Sequence, residues 1–117
     1  MKRSLDLTSD LLRLYSRRGN FHSDPEAAGA LGYQRLLAQG MQVAGPAYGL
    51  LIDAWGEEFL AHGTFELKFI SPATDGETVE ADVEPRPGAD EASIEVTNLT
   101  SGRTAVVGHA SRTSAPR

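Results

Sequence analysis

GMQVAGPAYGLLIDAWGEEF, Gly40 to Phe59, is the run whose reading decides the fold. Between Met41 and Trp55 its only charged residue is Asp53 and its only amide is Gln42. A helix that is apolar on nearly every side predicts burial on nearly every side. The run falls short of the roughly 20 apolar residues that a membrane span needs, so it reads as the central helix of a core. Gly45-Pro46 inside it predicts a kink there, or a true start one turn later.

Downstream of this helix the apolar period changes to two. Phe65, Leu67 and Phe69 alternate with Thr64, Glu66 and Lys68; Val79, Ala81 and Val83 with Glu80, Asp82 and Glu84; and Ala92, Ile94 and Val96 with Ser93, Glu95 and Thr97. Thr104 to Ala110 reads as a further strand with a less regular alternation. Asp75-Gly76, Pro87-Gly88 and Ser101-Gly102 mark turns between these runs. One-faced strands with short connections argue an antiparallel sheet. Residues 111–117 read as a frayed tail.

Upstream, Ser4 to Leu7 reads as a short edge strand. Thr8 or Ser9 can cap a helix with an apolar face of Leu11, Leu12, Leu14 and Tyr15, closing at Arg17, Arg18 and Gly19. Asn20 to Ser23 is then a loop, and Asp24-Pro25-Glu26 opens a second helix by supplying a cap, a preset φ and a negative charge at the dipole's positive end. Gly29 and Gly32 keep that helix short.

The chain has 117 residues, 40% hydrophobic and 23% charged, which is enough for one domain with a real core. Its formal net charge of −5 argues against nucleic acid as a partner. The absence of cysteine excludes disulfides, thiolate nucleophiles and Cys-based zinc sites, and fits a cytoplasmic protein. No signal peptide and no membrane segment are visible.

One buried helix and several half-buried strands have one economical solution, in which the sheet curls around the helix and covers it. The expected fold is therefore α+β: a single hotdog domain spanning residues 1–117, with an antiparallel sheet wrapped around a long central helix. So small a sheet leaves edges unpaired, and joining them in a dimer removes that liability, so a homodimer is expected.

The stretch HSDPEAAGALGYQRLLAQGM, His22 to Met41, resembles the MaoC-like hydratase/dehydratase family, whose signature is a His-x-Asp-Pro run leading through a Gly to the central hotdog helix. The similarity extends from Leu7 to about Val83 and to a closing Val107-Gly108-His109-Ala110. The resemblance implies an acyl thioester on coenzyme A or acyl carrier protein as substrate, with water added to or removed from its double bond. It places His22 on the family's catalytic His and Gly40 on the glycine whose amide holds the thioester carbonyl. Asp24 falls on the Asp of the His-x-Asp step, and Asn20 on the family's Asn, shifted by a residue. The family carries a catalytic Asp five residues before the His; this chain has Arg17 there.

Hydration of an enoyl thioester needs a base for water, an acid for the α-carbon and a stabiliser for the enolate oxygen. A His with an unperturbed pKa of about 6.5 suits the proton transfers. A helix N-terminus, with free amides and the dipole's positive end, suits the enolate. For each candidate a second reading stands beside the chemical one. His22 is a base or a loop His; Asp24 an acid or a helix cap; Asn20 a water-positioning residue or a turn residue. Arg17 and Arg18, like Arg13, face phosphates or solvent. Gln39, Met41 and Tyr48 line the pocket or pack, and Gln42 reads as helix surface. His22 and Asp24 lack a nearby third ligand, so no metal is expected, and no cofactor. Two alternatives to the hydratase remain: a hotdog thioesterase, and a non-catalytic subunit of a heterodimer whose partner carries the intact Asp/His pair.

Overall fold

The computed structural model describes residues 1–8, 11–12, 38, 40–86 and 90–113. In chain order its elements are β1 (Lys2–Asp6), α1 (Gly40–His62), β2 (Thr64–Phe69), β3 (Thr78–Pro85), β4 (Glu91–Asn98) and β5 (Thr104–Ser111). The five strands form one sheet in the order β1-β3-β4-β5-β2, antiparallel at every step.

The two-residue period puts one row of side chains per strand toward the helix. Val83, Ile94, Gly108 and Leu67 lie across from one another in register, as do Ala81, Val96, Val106 and Phe69. Val79, Ala81, Val83, Val96 and Val106 are fully buried. The helix covers this face, chiefly over β3 and β1, with Val43, Ala47, Leu50 and Leu51 turned inward. Each such Leu or Val contributes roughly 1.5–3 kcal/mol by leaving water.

The weak alternation in β5 has a cause. The β4–β5 register shifts between Val96 and Thr97, so that Val106 faces Val96 while Thr104 faces Thr97. Ala105 is thus an extra residue in a bulge, and both Ala105 and Val106 are buried in succession.

The expectations for α1 need two corrections. Pro46 lies inside a continuous helix, and the only non-helical residue is Gly56, at φ 59 and ψ −140. Pro46 is tolerated because it falls in the second turn, where losing one N–H costs a single bond. The break falls where glycine alone is at ease. Nor is α1 buried on every side: Met41 and Tyr48 are exposed, because the sheet covers only one face of it.

The first turn after β1 follows its sequence. Thr8 Oγ1 accepts a hydrogen bond from the Leu11 N–H at 3.1 Å, and the Thr8 carbonyl accepts one from Leu12 at 3.0 Å. Thr8 is therefore the cap. The expected second helix opening at Asp24-Pro25-Glu26 lies outside the described residues, as do the Pro87-Gly88 turn and residues 114–117 of the expected tail.

Candidate functional site

Gly40 is the first residue of a 23-residue helix whose first turn carries no acidic residue. The first four amides of a helix have no partner within it, and the dipole adds positive potential there. With no carboxylate in the turn, nothing on α1 itself neutralises that potential.

This helix start opens on an apolar cavity of about 710 Å³, within the usual 300–1,000 Å³ of small-molecule sites. One wall is the start of α1, with Ala38, Gly40, Met41 and Val43; the other is the end of β2 and the following segment, Phe69 to Ala73. Val106, brought inward by the β5 bulge, lies between them. The walls are tied by backbone bonds: the Ala38 N–H donates to the Ala73 carbonyl at 2.8 Å, and the Ile70 N–H to the Ala105 carbonyl at 2.8 Å. Ser71 Oγ donates to the Thr104 carbonyl at 2.8 Å.

Phe69 packs directly on Gly40. A Cβ added at Gly40 would lie 2.7 Å from Phe69 Cε1, so only glycine leaves this ring its place. The sequence marked Gly40 but not Phe69, Ile70 or Val106; Phe69 read as the apolar end of a strand, and no local signal separates a core residue from a cavity wall.

Of the sequence-derived candidates, Gly40 and Met41 meet at this cavity. Tyr48 lies two turns further along α1 and packs on Phe59 and Phe65, at ring-centroid distances of 5.5 and 5.7 Å. His22, Asn20, Asp24, Gln39, Arg17 and Arg18 lie outside the described residues. Gln42 is not helix surface but 6% exposed. Its Nε2 donates to the Leu11 carbonyl at 3.1 Å, and its Oε1 has no hydrogen-bond partner among the described residues. A lone amide inside an apolar run was the available signal, because such a group is costly to bury without a task.

On the opposite face of the sheet, His109 Nε2 stands 2.8 Å from Glu66 Oε2, and both side chains are largely exposed. Among the described residues no group of three or more His, Asp or Glu side chains is placed to hold a metal ion. None of the described helices is long and apolar enough to cross a membrane.

No protein-family model matches the chain, and no curated protein matches it. Solved structures do. The (R)-hydratase from A. caviae involved in PHA biosynthesis superposes with a TM-score of 0.70 at 23% identity, over 94% of this chain and 89% of that one. A MaoC-like dehydratase from Phytophthora capsici superposes at 0.79 and 19% identity, over 100% of this chain and 42% of that one. The chain is a hotdog domain. The hotdog likeness extends to the ChsH1-ChsH2 complex from Mycobacterium tuberculosis, with a TM-score of 0.70 at 16% identity over 95% of this chain and 90% of that one. The sheet wrapped on a central helix that the sequence led us to expect is thus the fold these structures share.

Proposed function

We propose that this hotdog domain hydrates an enoyl thioester, or dehydrates the 3-hydroxyacyl form, on coenzyme A or acyl carrier protein. The observation that carries the reading is the helix start at Gly40, facing an apolar cavity with no acidic residue in its first turn. The Gly40 N–H donates a hydrogen bond to the thioester oxygen and stabilises the enolate, while His22 moves the proton between water and the α-carbon. Asn20 and Asp24 position the water; Gln39 and Met41 border the acyl group, with Tyr48 behind them. Arg17 and Arg18 meet the carrier's phosphates as charged hydrogen-bond donors.

His22→Ala is expected to abolish hydration of a crotonyl-type thioester while circular dichroism and the melting transition stay native. A variant with full activity overturns the assignment. Thiol release followed with a chromogenic reagent tests the hydrolase alternative, because hydration frees no thiol.

A second reading is favoured by Arg17, which occupies the position of the family's catalytic Asp. In it the chain is one subunit of a heterodimer and its partner supplies the intact pair. Inactivity of the pure chain, with co-purification of a second hotdog chain, selects this reading. Either reading includes a dimer. Among the described residues the sheet has two outer strands, β1 and β2, each paired on one side only, and an unpaired edge is a liability that pairing removes. A monomer by light scattering at micromolar concentration refutes the dimer.

A further inference from the structure

One polar side chain interrupts the apolar lining of the cavity beside Gly40. Among the described residues that line it, Ser71 alone has a polar side chain. Its proton is already committed, because Oγ donates to the Thr104 carbonyl at 2.8 Å. A hydroxyl has one proton and two lone pairs, so what Ser71 still offers is an acceptor. No described residue donates to that oxygen.

The backbone around Ser71 is held in place. Ile70 and Ser71 both donate their N–H to the Ala105 carbonyl, at 2.8 and 3.4 Å. Pro72 follows, and a proline keeps the residue before it extended. Two residues ahead of Ser71 the Phe69 ring packs on Gly40, and two residues beyond it the Ala73 carbonyl accepts from the Ala38 N–H. Ser71 therefore lies midway along the segment that runs beside the start of α1.

The two walls differ in what they bind. The start of α1 offers donors, its free amides, and Ser71 offers an acceptor. Such placed polar groups in an apolar cavity fix a ligand's orientation. A ligand that satisfies both carries a carbonyl and, a short way along its apolar part, a hydrogen-bond donor. In an acyl thioester the apolar part is the acyl chain, and the donor is the hydroxyl at C3 of the 3-hydroxyacyl form. That hydroxyl stands two carbons from the carbonyl carbon. The amides of the pantetheine arm lie beyond the sulfur, away from the chain that the apolar lining takes up.

We infer that Ser71 is a substrate-binding residue of this cavity, and that its Oγ accepts a hydrogen bond from the C3 hydroxyl of the 3-hydroxyacyl form. The inference rests on the acyl-thioester reading and adds to it the group that tells the two sides of the reaction apart. Because Oγ lies on one wall, one enantiomer at C3 makes the contact and the other does not.

The test is calorimetric titration of three amide analogues of coenzyme A thioesters, with nitrogen in place of the sulfur: butanoyl, (R)-3-hydroxybutanoyl and (S)-3-hydroxybutanoyl. An amide acidifies its α-hydrogens far less than a thioester does, so none is dehydrated and binding is read apart from turnover. The chains are the native one, Ser71→Ala, Ser71→Cys and Ser71→Thr. In the native chain one enantiomer is expected to bind about tenfold more tightly than the other, the worth of one hydrogen bond. Ser71→Ala weakens that enantiomer about tenfold and leaves the other two ligands within about twofold of native. Ser71→Thr keeps a hydroxyl and keeps the preference. Ser71→Cys, whose sulfur is a weak acceptor, loses most of it and serves should the alanine chain fail to fold. A native chain without the preference overturns the inference, as does a preference that survives in Ser71→Ala or Ser71→Cys. A loss shared equally by all three ligands also overturns it, because it puts the bond elsewhere than at C3. Hydration of a crotonyl-type thioester on the same samples keeps the two claims distinct. Turnover with a preference that Ser71→Ala leaves intact removes Ser71 and keeps the reaction; a preference that Ser71→Ala abolishes, without turnover, does the reverse.

Discussion

Replacing Gly40 by Ala separates the two demands on the start of α1. The new Cβ would stand 2.7, 2.9 and 3.1 Å from Phe69 Cε1, Cζ and Cδ1. Carbon atoms pack at about 3.5–4.0 Å, so the ring must withdraw by roughly 1 Å. Phe69 is half exposed and has room to do so. The stability cost therefore falls at the low end for overpacking, about 1 kcal/mol, or a melting temperature lower by about 3–6 °C. The cost to chemistry is larger. On the proposed reaction, a methyl group beside the helix-start amide would displace the incoming carbonyl from its donor, worth about 10²–10³ in kcat. Scanning calorimetry and hydration of a crotonyl-type thioester, followed by loss of the conjugated absorbance, read the two effects on one sample. Adding Phe69→Ala is expected to return most of the lost stability and little of the lost kcat. A Gly40→Ala chain that melts as expected but keeps kcat within about threefold of native refutes the role given to this amide, since donor loss costs far more.

Gly108→Ala should be the more damaging glycine substitution, because its Cβ would fall 2.1 Å from the Glu66 carbonyl oxygen, a backbone atom that cannot rotate away. Among the described residues β2 pairs only with β5, so a loss of about 3 kcal/mol in urea unfolding and exposure of β2 amides to hydrogen exchange are expected. Gly56→Ala places a Cβ in open space but at φ 59, so backbone strain alone sets its cost, about 1–3 kcal/mol with no change at the cavity; an unchanged unfolding midpoint contradicts this. Arg3→Ala removes the ion pair from β1 to Asp53 on α1, whose side chains are 44% and 62% exposed. The expected loss is below about 1 kcal/mol and vanishes in high salt.

Much of the fold was legible because burial imposes a period. Phe65-Leu67-Phe69 and Val79-Ala81-Val83 alternate because one face of each strand meets α1 and the other meets water. Thr8 announced its cap because a hydroxyl there satisfies the Leu11 amide. Positions that depend on two distant segments were not legible. Pro46 looked like a kink, yet the helix runs through it and breaks at Gly56. Gln42 looked like surface, yet it is buried against the Leu11 carbonyl, far away in sequence. Ala105 looked like an irregular strand residue, yet it is the bulge that turns Val106 inward.

The candidate site divides in the same way. The sequence by itself determined the antiparallel sheet on a central helix and the glycine at that helix's start, because side-chain period and helix termini are local properties of the chain. Only the tertiary structure decided that Phe69, at the end of an edge strand, packs on Gly40 and lines an apolar cavity with Val106. That contact depends on the register of β2 on β5 and on a bulge between β4 and β5, and register is set by the whole sheet rather than by any one strand.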